Sequence, residues 1–168
     1  MPEHTEAEAI ANLARRNQRL DLTIGTPEGR TAVLEHLLES TTRVVIGGGP
    51  CTGKTQMSMH VASVLGVTAR HTDDLIGHLD WSGASEEVSR WMAEPGPWVI
   101  EGVATVRALR KALTASPAAP CTILHWLSGP FEPLTKGQLS MTKGCDTVLA
   151  GIRPELEARG VLIVEGVQ

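Results

Sequence analysis

The sequence predicts an α/β fold, a parallel sheet of five strands with helices on both faces. Three observations predict it. Short apolar, β-branched runs alternate with longer segments of helical periodicity from residue 43 onward, the order that βαβ units need. The first such run, Arg43-Val44-Val45-Ile46-Gly47, passes through a glycine-rich stretch straight into a helical pattern. The chain has 168 residues, 42% of them hydrophobic, which suits one domain with a buried core.

Residues 6–20 carry Ala7, Ile10, Leu13, Ala14 and Leu20 at near-helical spacing. Thr26-Pro27-Glu28 reads as a helix start, threonine the cap and proline in the first turn, with Val33, Leu34, Leu37 and Leu38 as its stripe. Residues 1–42 are therefore expected to form a helical extension that covers the sheet or makes a contact between protomers. Residues 43–168 are expected to be a single globular unit. There, residues 43–47 are the first strand and 54–65 the helix after it. Residues 67–70 are the second strand, and 85–93 a short helix closed by Pro95-Gly96-Pro97. Residues 98–100, ending at Glu101, are the third strand, 103–113 the next helix and 121–127 the fourth strand. Residues 146–159 are helical and stop at Gly160, a residue suited to the left-handed turn after a helix. Residues 161–164 are the fifth strand. Residues 71–84 and 128–145 are polar and loop-like, and long loops of this kind often carry function.

A net charge of −4 gives no global basic field for nucleic acid, though a local basic groove stays open. No apolar run approaches a membrane span, and the acidic N-terminus is not that of a signal peptide. Cys51, Cys121 and Cys145 are odd in number and contain no Cys-x-x-Cys pair, so the expectation is reduced thiols in a cytoplasmic protein. The six histidines show no ligand pattern. Trp81, Trp91, Trp98 and Trp126 are expected in the core or a pocket wall. With Phe131 and no tyrosine, surface for stacking nucleic-acid bases is scarce.

Gly48-Gly49-Pro50-Cys51-Thr52-Gly53-Lys54-Thr55 fits G-x-x-x-x-G-K-[ST] in full. Glycines let backbone N–H groups turn around phosphate oxygens, and the helix that follows adds its positive end. Lys54 would bring a charge to the β and γ phosphates and Thr55 a hydroxyl to Mg²⁺. Residues 48–55, with Gln56 beside them, are thus expected to bind a nucleoside triphosphate, ATP or GTP, with Mg²⁺. The alternative is a glycine-rich structural turn. Cys51 is either a spacer or, so near a helix N-terminus, a thiol of lowered pKa and redox sensitivity.

His71-Thr72-Asp73-Asp74-Leu75 follows the second strand, and ligands gather at the carboxyl ends of strands in such sheets. Asp73 is the candidate base for an acceptor hydroxyl and Asp74 a support or metal-shell residue; either could instead cap a helix. In Trp98-Val99-Ile100-Glu101-Gly102 an acid ends an apolar strand, which makes Glu101 a candidate for the Mg²⁺ shell, the alternative being an exposed strand-end glutamate. Arg107 and Arg110, three apart on the next helix, would share a face and bind an acceptor phosphate, or simply be solvated. Lys136 and Lys143 flank a segment that reads as either a mobile lid bringing cations to the phosphoryl group or an ordinary surface loop.

Taken in order, GGGPCTGKT, HTDDL, WVIEG and an arginine-bearing helix resemble the small P-loop kinases of the nucleotide and nucleoside kinase superfamily. HTDDL and WVIEG are similar to kinase-like proteins near the adenylate kinases. The Asp-Asp pair resembles that of phage polynucleotide kinases, whose first acid is the base, and this maps onto Asp73. LTKGQLSMTKG resembles small phage-type P-loop ATPases. The resemblance covers about residues 43–165 and implies the strand order 2-3-1-4-5. The arginine-rich lid of adenylate kinases has no counterpart here, and the last predicted strand is followed only by Glu165-Gly166-Val167-Gln168, where the family places a purine-holding loop.

The expected function is transfer of the γ phosphate of ATP to a small-molecule, nucleoside or nucleotide acceptor, a nucleic-acid end being less favoured. No membrane partner is expected, and a homo-oligomer is compatible. The alternatives are an ATPase within a larger assembly and a nucleotide-binding module without catalysis.

Overall fold

The computed structural model describes Leu20–Asp21 and residues 42–167. The strands are β1 (Leu20–Asp21), β2 (Arg43–Gly48), β3 (Ala69–His71), β4 (Trp98–Glu101), β5 (Ile123–Ser128) and β6 (Leu162–Val167). The helices are α1 (Lys54–Leu65), α2 (Trp81–Ala93), α3 (Thr105–Ala115) and α4 (Lys136–Ala158), with a 3₁₀ turn at Thr72–Leu75. The sheet runs β1-β6-β5-β2-β4-β3, and every pairing is parallel. Without β1, this is the 2-3-1-4-5 order expected for five strands.

Alternation along the strands divides the core in two. Val45, Trp98, Ile100, Leu124, Trp126 and Ile163 face α2, α3 and α4. Val44, Ile46, Val99, Ile123, Leu127 and Val164 face the side that α1 covers with Val61 and Ala62. Both faces of the strands are thus buried, which is why their sequences read as near-continuous apolar runs. The carboxyl ends of β2, β3 and β4 lie side by side: Ile46 pairs with Glu101, and His71 pairs with Glu101 from the other flank.

Helix boundaries follow their caps. α1 ends at Gly66, which has φ +69°; there Val67 N–H reaches back to Ala62 O at 3.0 Å, a Schellman-type stop. α2 begins at Trp81, earlier than its periodicity suggests, because the Asp80 carboxylate accepts from Gly83 N–H at 2.6 Å. Gly160 follows α4 with φ +85°, as expected.

The largest correction concerns residues 128–145. Most of this segment is helix: α4 starts at Lys136, not residue 146. Thr135 and Gln138 form a reciprocal capping box, Gln138 N–H donating to Thr135 Oγ1 at 3.2 Å and Thr135 N–H to Gln138 Oε1 at 2.9 Å. Gly137 and Gly144, poor helix formers, obscure the pattern in the sequence. The other correction is β1, whose Leu20 stands at the end of the run read as helical. The remainder of residues 1–41, including both expected N-terminal helices, lies outside the described residues. Among those described, no helix is long and apolar enough to cross a membrane.

Candidate functional site

The glycine-rich loop between β2 and α1 is fixed by close approaches. Gly48 has φ +137°, and a Cβ there would lie 2.1 Å from Leu127 O. A Cβ on Gly49 would lie 2.6 Å from Thr142 Oγ1 of α4. Cys51 has φ +57°, unusual for a residue with a side chain, and Gly53 has φ +79°. The chain after β5 holds the other side of the loop. Phe131 N–H donates to Cys51 O at 2.9 Å, and Cys51 Sγ donates to Glu132 Oε1 at 3.0 Å.

Lys54 opens α1 from within the loop. It is 8% exposed, and its Nζ donates to Gly49 O at 2.5 Å and Thr52 Oγ1 at 3.5 Å. Burial pushes its pKa below the ordinary lysine range, while the charges of Glu101 and Asp73 pull it back up. Next to it, Thr55 Oγ1 donates to Glu101 Oε1 at 3.3 Å. Glu101 is only 3% exposed and receives a second partner from β3, His71 Nδ1 at 2.6 Å. A buried carboxylate needs such partners. The exposed strand-end alternative for Glu101 is therefore excluded. Gly102, with φ +136°, lets the chain turn away from β4 close to Thr72, whose Oγ1 would meet a Cβ there at 1.9 Å.

These groups open onto one cavity of about 930 Å³. Pro50, Cys51, Thr52, Gly53, Lys54, Thr55 and Gln56 line its floor, and Asp73 and Glu101 add carboxylates. Ile76, Trp81, Val103, Phe131, Gln138 and Met141 form the remaining walls. The structure therefore gathers Lys54, Thr55, Asp73 and Glu101, from the ends of three neighbouring strands, as the sequence leads one to expect. Asp74, exposed in the same 3₁₀ turn, is not part of the lining.

Two expectations are corrected and one open alternative is narrowed. Arg107 is not among the residues lining the cavity; its guanidinium lies over the Trp81 ring, 5.7 Å from the centroid. Arg110, though three residues away, lines a separate surface groove with Glu86, Ser89 and Lys111, so the two arginines do not act on one ligand. Lys136 and Lys143 are exposed on α4 and absent from the lining, because this segment is capped helix, with Gln138 and Met141 turned to the cavity instead. Of the two readings of Cys51, the activated thiol is the one disfavoured: its hydrogen bond to Glu132 raises its pKa above the ordinary value, against the opposing charge of Lys54.

His71, Gln138 and Met141 were not singled out by sequence reasoning. His71 had a usable signal, its position at a strand end beside an acid-ended strand. Gln138 had another, the Thr-x-x-Gln spacing of a capping box. No protein-family model and no curated protein matches this sequence.

Proposed function

We propose that this chain is an ATP-dependent phosphotransferase that binds ATP with Mg²⁺ on the loop at residues 48–56 and moves its γ phosphate to an acceptor hydroxyl. The observation that carries this reading is the grouping of a buried lysine, a threonine–glutamate pair and a facing aspartate around one cavity at the loop that fits G-x-x-x-x-G-K-[ST].

Lys54 and the loop N–H groups stabilise charge on the transferring group. Thr55 and Glu101 offer the hard oxygen donors Mg²⁺ takes, and two protein ligands suffice because phosphates and water complete its shell. Mg²⁺ would supply charge neutralisation on the phosphate oxygens. His71 holds the Glu101 carboxylate in place. Asp73 accepts the acceptor's hydroxyl proton as the new O–P bond forms and the bond from the γ phosphorus to the bridging oxygen of ADP breaks. The free thiols of Cys51, Cys121 and Cys145 support a reducing, cytoplasmic setting.

The test is ADP formation from ATP and Mg²⁺ with and without acceptor hydroxyl compounds. Asp73→Asn should lower acceptor-dependent turnover by about a hundredfold while ATP binding persists. Full activity in that variant removes the base role. ADP formation indifferent to every acceptor points to a hydrolase, and bound ATP without turnover to a binding module.

A further inference from the structure

Resting on that phosphotransferase reading, we infer that the acceptor is a neutral hydroxyl compound with a flat, aromatic body, and that Ile76, Trp81, Val103 and Met141 are the wall that receives it. The segments that carry Asp73 and Glu101 also carry most of this wall. Ile76 follows the Asp73 turn, its N–H donating to Asp73 O at 3.1 Å, Trp81 opens α2, and Val103 follows Glu101 and Gly102. Met141 projects from α4 into the same cavity.

Two features set the chemistry of the occupant. The first is charge. Among the described residues lining the cavity, Lys54 is the sole cation, and it belongs to the glycine loop, whereas Asp73 and Glu101 are both carboxylates. Arg107 is not among the residues that line the cavity; its guanidinium lies 5.7 Å from the centroid of the Trp81 ring. A second anionic group beside Asp73 would meet repulsion without a partner. The second feature is unpaired apolar surface. Ile76 is 40% and Trp81 38% exposed, and both line the concave site, where a large apolar side chain has no packing reason to face water. The indole backed by Arg107 offers a fixed flat face for a ring.

The test uses benzyl alcohol, thymidine, thymidine 5′-monophosphate and glucose as acceptors in the ADP assay. It also follows tryptophan fluorescence of the protein bound to a non-hydrolysable ATP analogue. Benzyl alcohol or thymidine should support transfer at least about tenfold better than the monophosphate or glucose. Both should quench fluorescence saturably, and Trp81→Leu should abolish that quench and raise their KM about tenfold, with ATP affinity unchanged. Transfer to the monophosphate or to glucose in preference overturns this inference and leaves the phosphotransferase standing. Saturable quenching lost in Trp81→Leu, but without transfer to any compound, keeps the subsite and overturns the transfer reaction. Neither quenching nor transfer overturns the subsite.

Discussion

The two walls of the cavity are built on opposite principles. On the loop side, the charged groups Lys54 and Glu101 are buried and every named group is engaged: Lys54 on Gly49 O, Thr55 on Glu101, Glu101 on His71. On the facing side, Ile76 and Trp81 are apolar and remain 40% and 38% exposed. Charges taken out of water must be pre-organised, because reorganising them later costs more than holding them from the start. Apolar surface needs no such arrangement and can wait for its occupant. The contrast separates a wall suited to a fixed, charged group from one suited to a variable, uncharged body.

The sharpest way to break this comparison is at Lys54. Lys54→Met should lower ADP formation by about a hundredfold or more, measured at saturating ATP. The same variant should also melt about 2–4 °C above the parent at neutral pH without nucleotide. The sign follows from linkage. The folded-state pKa of Lys54 lies below its ordinary 10.5, so below both values the lysine is charged in both states and the burial penalty is fully present. As pH rises from the lowered value toward 10.5, the folded state releases the proton first and the penalty fades. The gap in melting temperature between parent and variant should therefore narrow with rising pH. A variant that melts lower than the parent at neutral pH would mean that the Gly49 bond outweighs the buried charge.

A smaller effect is expected at His71. His71→Ala leaves Glu101 with one fewer partner, so the apparent affinity for Mg²⁺ in the ADP assay should fall about tenfold, with kcat at saturating Mg²⁺ changing less. An unchanged Mg²⁺ dependence would separate His71 from the metal site. The smallest effect belongs to Cys51. Glu132→Ala removes the acceptor and the charge that raise the thiol pKa, so alkylation of Cys51 by iodoacetamide at pH 8 should quicken about threefold, read by mass spectrometry of the labelled peptide.

The same contrast explains what was legible in the sequence. The loop wall could be read because its requirements are local: glycines at Gly48 and Gly53 for positive φ, a lysine and a threonine at fixed offsets, an acid ending an apolar strand. The alternation of strands and helices was legible locally, whereas the five-strand order was an expectation carried by the resemblance alone, and the structure shows that order. Of the apolar wall only Trp81 was anticipated, as core or pocket wall; Ile76, Val103 and Met141 were not, because they come from separate segments that only the fold assembles, and none has a spacing of its own. Arg107 was misjudged for the same reason. Its place on a helix face is local information, but the ring that draws it away belongs to another helix. The start of α4 was legible in principle from Thr135 and Gln138, yet Gly137 and Gly144 argued against a helix, and capping with tertiary support prevails over weak propensity.

The grip of the late chain on the early loop has a consequence for synthesis. Cys51 is bonded to Glu132 and Gln138, 81 and 87 residues further on, and Gly48 and Gly49 are shaped against Leu127 and Thr142. A chain emerging from the ribosome therefore holds the complete glycine motif long before it holds the partners that give the motif its conformation. Non-local closures of this kind are slow steps in folding. The competence of the loop is thus a property acquired only after residues 127–142 have been made, and a fragment stopped before Leu127 would carry every letter of the motif without the partners that shape it.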